Sequence, residues 1–241
     1  MAPQAFDLAD RLQTPVMVLS DLDVGMNDWM CPDLKWDDSY QPDRGKVLSA
    51  EDLVGMDKFY RYLDVDGDGI PYRTLPGEHP KGAYFTRGSG HTKYGAYTED
   101  AEEYQEVVDR LLTKWETART LVPEAEVEYS KFNKSGILSI GSCDGAVREA
   151  LVKLKDSNVG LNYCRVKGFP FGEEVRDFID KHDRVYVIEQ NRDAQLRTLL
   201  ILDIDADPDK LVSMLHYNGL PISADFVIER VLAETAKGQA A

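Results

Sequence analysis

Four stretches of this sequence carry residue types at spacings that could do chemistry. Asp64-Val-Asp-Gly-Asp-Gly69 sets carboxylates at positions 1, 3 and 5 and a glycine at 6. That is the opening of an EF-hand loop, where hard carboxylate oxygens take up a divalent cation. The loop then departs from the pattern: position 12, which should be a bidentate glutamate, is Leu75, and Pro71 interrupts it. A weak Ca or Mg site at Asp64, Asp66 and Asp68 therefore competes with an Asp/Gly turn that caps its own backbone, and the turn is the default. Ile140-Gly-Ser-Cys-Asp-Gly-Ala146 puts small residues at a helix start, a natural anion site. It has neither GxGxxG spacing nor a P-loop lysine, so close packing of helix on strand is the simpler reading.

The third stretch, Glu189-Gln-Asn-Arg-Asp-Ala-Gln195, is polar just where the chain leaves an apolar run. Ligands of open α/β sheets collect at such strand ends, and contact with a partner is the reading adopted for it. The fourth is a glycine-rich loop that carries Tyr72, Arg73, Arg87 and His91. An arginine fork there could clamp a carboxylate or phosphate, or pair with this chain's own many acids. The four histidines (His79, His91, His182, His216) have no metal-binding spacing and read as surface or internally satisfied residues. Three cysteines (Cys31, Cys143, Cys164) are too few for a four-thiolate cluster, and the odd count argues against a secreted disulfide framework.

The elements that must position these residues follow from periodicity. Gly136–Gly141, Val159–Val166 and Val185–Ile188 are short apolar runs, separated by helical patterns at Val147, Ala150, Leu151, Leu154 and at Val175, Phe178, Ile179. Strand, helix, strand, helix, strand implies a parallel sheet whose strands are buried on both faces. Lys210–Tyr217 is a fourth strand and Ala224–Lys237 a last helix. Upstream, Phe6–Leu12 reads as a helix broken by Pro15, and Val16–Leu19 as a buried strand. Residues 21–95 are irregular apart from a capping box at Ser49 and Asp52. Glu99–Leu121 is the clearest helix, with Thr98 as N-cap and Tyr104, Val107, Val108, Leu111, Leu112 and Trp115 on one stripe. Glu124–Lys134 reads as a polar linker.

A net charge of −15 argues against nucleic acid and against an anionic membrane surface. No apolar run nears the roughly 20 residues of a membrane span, and a cytoplasmic location is expected.

Taken together, several blocks resemble the alpha subunit of 2-oxoacid:ferredoxin oxidoreductases of the 2-oxoglutarate type. They are Asp64–Gly77, His79–Gly88, Trp115-Glu-Thr-Ala118, Val187–Gln195 and His216-Tyr-Asn-Gly-Leu-Pro-Ile-Ser223. The resemblance implies oxidative decarboxylation of a 2-oxoacid with coenzyme A to acyl-CoA and carbon dioxide, electrons passing to ferredoxin. It implies thiamine diphosphate with Mg and an iron–sulfur cluster in the assembled enzyme, carried mainly by a beta subunit partner and not by this chain. The fold it implies is α/β. A three-layer transketolase C-terminal-like domain is expected at 134–241, after a helix and linker at 99–133. Residues 1–98 would be a loop-rich, incomplete remnant of the pyrimidine-binding domain. The family's Tyr-Pro-Ile-Thr-Pro signature is absent, so a C-terminal portion, inactive alone, is expected. Tyr72, Arg73, Arg87 and His91 are then expected to line the approach to the active site or to the beta subunit. Glu189, Asn191, Arg192 and Gln195 are expected at a domain or subunit contact, and no residue is given a catalytic step. The alternative is a calcium-binding interaction module built on the 64–69 loop.

Overall fold

The computed structural model describes residues 1–28, 30–35, 37–85, 88–130 and 133–239. The chain divides into two compact units, Met1–Val18 with Pro32–Leu121, and Leu19–Cys31 with Val122–Ala241. The long helix at residues 101–119 thus groups with the first unit, and a short upstream segment with the second.

Four helices precede the sheet: α1 (Ala2–Leu12), α2 (Leu22–Met26), α3 (Ala50–Gly55) and α4 (Ala101–Arg119). α1 starts four residues earlier than the apolar pattern indicates, with Pro3 in its first turn, where a missing N–H costs nothing. α3 carries the expected capping box: Ser49 Oγ accepts from Asp52 N, and the Asp52 carboxylate accepts from Ser49 N. α4 is capped by Asp100 rather than Thr98; Asp100 Oδ1 accepts from Glu102 N and Glu103 N at 3.0 Å each. Thr98 sits one step behind, accepting from Asp100 N and donating to Glu103.

The first unit has a small core of Leu8, Leu12, Ile70 and Ala118, with Val16 and Leu121 against it. Val16–Leu19 is not a strand. Met17, Val18 and Leu19 are exposed and carry no regular structure. A strand needs a neighbour to satisfy its backbone, and among the described residues none pairs with this segment.

The second unit contains the sheet: β1 (Glu126–Glu128), β2 (Ser135–Ile140), β3 (Asn162–Val166), β4 (Arg184–Glu189) and β5 (Leu211–Leu215), in spatial order β1-β3-β2-β4-β5. The last four strands are parallel, as the alternating pattern requires. β1 falls in the stretch whose polarity suggests a linker, yet it pairs antiparallel at the edge of β3, Val127 opposite Cys164. Its sequence Glu-Val-Glu is polar because an edge strand need bury only one side. Helices α5 (Cys143–Asp156), α6 (Glu173–Asp180), α7 (Gln195–Ile204) and α8 (Ala224–Gln239) alternate with the strands. α5 and α8 supply Val147, Ala150, Leu154, Val227 and Val231 to one face, over Ile137, Tyr163, Ile188 and Met214. α6 and α7 supply Val175, Phe178, Leu196 and Leu200 to the other, over Leu138, Cys164, Val185 and Val187. The three-layer α/β architecture is as expected.

Gly136 is a close approach of strand to helix in this packing: a Cβ there would lie 2.5 Å from Phe178 Cζ, and Phe178 is fully buried. Gly136→Ala is therefore expected to destabilise the fold by about 1–3 kcal/mol through overpacking, read as a lower midpoint in urea denaturation.

Candidate functional site

In the strand order β3-β2-β4-β5 the chain turns to opposite sides from β2 and from β4, so the crevice at their C-terminal ends is the topological switch point. Gln190, just past β4, donates from Nε2 to Ser142 Oγ, just past β2, at 2.6 Å, and so bridges the crevice. Ser142 also donates from Oγ to Asp21 Oδ2 at 2.5 Å, and its backbone N–H reaches the same oxygen at 3.3 Å. The start of α5 is thus occupied by the chain's own carboxylate. Burial pushes the Asp21 carboxyl up, but the Ser142 hydroxyl and backbone donors outweigh it and hold it below its ordinary value. Asp21 and Gln190 were not singled out by sequence. Asp21 lies 121 positions from its partner, and no local spacing signals such a pair.

Glu189 ends β4 with a fully buried side chain. Its carboxylate accepts from Leu196 N at 2.6 Å, Arg197 N at 3.1 Å and Asn191 Nδ2 at 2.8 Å. It closes the N-terminus of α7, which a carboxylate suits electrostatically. Asn191 Oδ1 accepts from Asp193 N and Gln195 N, completing the turn. Arg192 is exposed and pairs with its neighbour Asp193 at 2.7 Å; Gln195 is exposed. So Glu189 and Asn191 build the strand-to-helix turn, while Arg192 and Gln195 stand on its surface.

The acidic loop lies in the first unit. Asp64 accepts from Gly67 N at 2.9 Å and Gly69 N at 2.8 Å, and Asp68 accepts from Ile70 N at 2.8 Å. Carboxylate oxygens of Asp64, Asp66 and Asp68 lie within 4.8 Å of one another. Beside Asp66 and Asp68 sits the ammonium of Lys46, 2.7 Å from Asp66 Oδ1 and from Asp68 Oδ2 and 3.0 Å from the Ile70 carbonyl. Gly69 (φ +79°) is required, because a Cβ would lie 2.3 Å from Lys114 N of α4.

Tyr72 lies under the same ammonium, 5.3 Å from ring centroid to Lys46 Nζ. Arg73 pairs with Asp10 at 3.0 Å and donates to the Arg44 carbonyl at 2.7 Å, so this guanidinium ties α1 to its loop. His91 stacks on Tyr62 with centroids 3.9 Å apart, and its Nδ1 lies 2.9 Å from the Thr92 carbonyl oxygen. Arg87 lies outside the described residues. The structure brings Tyr72 and Arg73 near the acidic loop, and both face groups of their own chain. Of the remaining histidines, His182 is buried between Asn162 and the Phe178 carbonyl, as a satisfied core residue. His216 departs from that reading, being buried with Nδ1 unpaired.

The donor sets can be weighed against the groups the family resemblance implies. A four-thiolate cluster does not fit: Cys143 and Cys164 lie in opposite core layers, burial pushes each thiol up to about 12, and Cys31 is exposed. A diphosphate does not fit the starts of α5 and α7 either, since Asp21 and Glu189 fill them.

No family model matches the chain. It is 24% identical, over 98% of its own length, to the 2-oxoacid:ferredoxin oxidoreductase subunit alpha of Saccharolobus solfataricus. It is 31% identical, over 92% of its length, to 2-oxoacid:ferredoxin oxidoreductase 2, subunit alpha, of Aeropyrum pernix. The chain is a relative of 2-oxoacid:ferredoxin oxidoreductase alpha subunits. It spans 37% and 34% of those two proteins, about a third of their length. Among solved structures, a 2-oxoglutarate:ferredoxin oxidoreductase from Magnetococcus marinus, with 2-oxoglutarate, coenzyme A and succinyl-CoA bound, shares the fold. The match has a TM-score of 0.79 at 23% identity and covers 95% of this chain and 38% of that one. The oxidoreductase kinship thus covers nearly the whole chain. Among the described residues no helix is long and apolar enough to cross a membrane.

Two measurements check the electrostatics of this subunit relative. Lys46→Met leaves Asp66 and Asp68 facing each other without their counter-charge and is expected to lower stability by about 1 kcal/mol, discounted for partial exposure; the urea midpoint reads it. Burial pushes the Asp64 carboxyl up, but the Gly69, Gly67 and Asp66 amides outweigh it and hold it below its ordinary value. Its contribution is therefore full above about pH 4 and is lost as pH falls further. Asp64→Asn should flatten part of the fall in urea midpoint between about pH 5 and pH 3.

Proposed function

We propose that this chain is one portion of a 2-oxoacid:ferredoxin oxidoreductase alpha subunit, acting in the oxidative decarboxylation of a 2-oxoacid with coenzyme A. The products would be an acyl-CoA and carbon dioxide, with the electrons passed to ferredoxin. The observation that carries this reading is the match of at least nine-tenths of the chain to curated alpha subunits while spanning only about a third of them. 2-Oxoglutarate is the proposed substrate, supported by the solved relative that binds it.

The portion represented here acts by shape rather than by chemistry. The carboxylates of Asp21 and Glu189 are spent on its own helix starts, its acidic loop holds its own lysine, and its buried thiols are protonated at neutral pH. Thiamine diphosphate and the iron–sulfur cluster, which supply the decarboxylation and the electron relay in this family, are assigned to other polypeptide, foremost a beta subunit. The loop that carries Tyr72, Arg73 and His91, whose side chains are engaged within their own chain, is proposed to lie on the approach to the active site or that subunit, and Arg192 and Gln195 to meet a domain or subunit at the switch-point end of the sheet. Glu189 and Asn191 would shape that contact from beneath.

Co-expression tests this. The chain, a cognate beta subunit and a polypeptide supplying the unmatched part of the alpha subunit should together reduce a viologen dye when given 2-oxoglutarate and coenzyme A, while omission of any one should abolish the reduction. Turnover of any oxoacid by the chain alone would refute the reading. Activity with pyruvate and none with 2-oxoglutarate would refute the substrate assignment only.

A further inference from the structure

An amphipathic helix ordinarily turns its apolar stripe to its own core. α4 does the reverse. The side it turns inward carries Arg110, Lys114, Thr117 and Ala118. Arg110 Nη1 donates to the Gly69 carbonyl at 2.8 Å, Thr117 Oγ1 to the Asp68 carbonyl at 2.7 Å, and Lys114 Nζ to the Gln13 carbonyl at 3.4 Å. Its apolar row faces out: Tyr104 is 57% exposed, Val108 37%, Leu111 44% and Leu112 63%. From residue 104 to 112 the row is about 12 Å long. Soluble chains rarely leave so continuous an apolar strip in water.

The rim says what kind of surface fits. The exposed residues Glu102 and Asp109 follow one edge of the row at near-helical spacing, Glu116 beyond them is paired with Arg119 at 3.1 Å, and the helix's mid-length cations, Arg110 and Lys114, point inward. A second copy of this chain would bring acid edge to acid edge on a molecule of net charge −15. A partner with an apolar ridge and lysine or arginine along one flank has no such conflict. The relatives also indicate where such a partner comes from, because about two thirds of their length has no counterpart in this chain.

We propose that the outward face of α4 seats the polypeptide that supplies the remaining part of the alpha subunit, through an apolar ridge edged with basic side chains. This rests on the alpha-subunit reading. The test uses the full chain and the polypeptide of the same source that matches the unspanned part of the relatives. Their affinity is measured by calorimetry for wild type, Leu112→Asp, Asp109→Lys and, as a control on another exposed apolar side chain, Val152→Asp.

Leu112→Asp is expected to weaken binding about tenfold or more. Asp109→Lys should weaken it severalfold, mainly at low salt. Val152→Asp should bind as wild type, and the urea midpoint of the chain alone should be unchanged by Leu112→Asp. Equal binding by wild type and Leu112→Asp would overturn the inference and leave the alpha-subunit reading standing. No complex with wild type would overturn both. A lowered midpoint in the chain alone would mean that the row is packed within the chain. A homodimer dispersed by Leu112→Asp would mean that a second copy covers it. Either result overturns the inference.

Discussion

Parallel strands flanked by helices have to be dry on both faces, and most features of the second unit follow from that constraint. Ile137 and Leu138, adjacent on β2, point into opposite cores, and both are fully buried. So do Val187 and Ile188 on β4. No polar periodicity can survive in such strands, which is why they read as short continuous apolar runs. The same constraint fixes Gly136, whose missing side chain is the space Phe178 fills. It also drives polar chemistry to the strand ends, where Ser142, Gln190 and Glu189 meet at the C-terminal edge.

At that edge the chain satisfies itself. Two helix starts that could receive an anion receive Asp21 and Glu189 instead. In the first unit the carboxylates that could receive a cation receive Lys46. A strongly acidic chain has carboxylates to spare, and an intramolecular group at fixed distance pairs with them at little further cost because its ordering entropy is already spent in folding.

The two units differ in how completely they bury themselves. The second has two well-filled layers. Among its described residues the first gathers Leu8, Leu12, Ile70 and Ala118 into its core cluster, while Met17, Val18 and the row on α4 remain in water. In both places the residues are those of an interior, and they stand at a surface. That imbalance agrees with a chain spanning about a third of its relatives' length.

The sequence by itself determined the order of strands and helices from Ser135 onward and the capping of α3, because periods of 2 and 3.6 and a three-residue box are local properties. It also determined that the 64–69 loop would turn on its own carboxylates, since Asp64 and the Gly67 and Gly69 amides lie within five residues. What lay beyond it was long-range. The antiparallel β1 edge depends on β3 some 35 positions away, and the Asp21 clasp depends on Ser142. Two segments were right in composition and wrong in outcome. Val16–Leu19 has the residues of a buried strand but no strand neighbour among the described residues, and α4 has the stripe of a core helix but shows it to solvent. Hydrophobic pattern states what a segment can bury; only the tertiary structure decides what is there to bury it against.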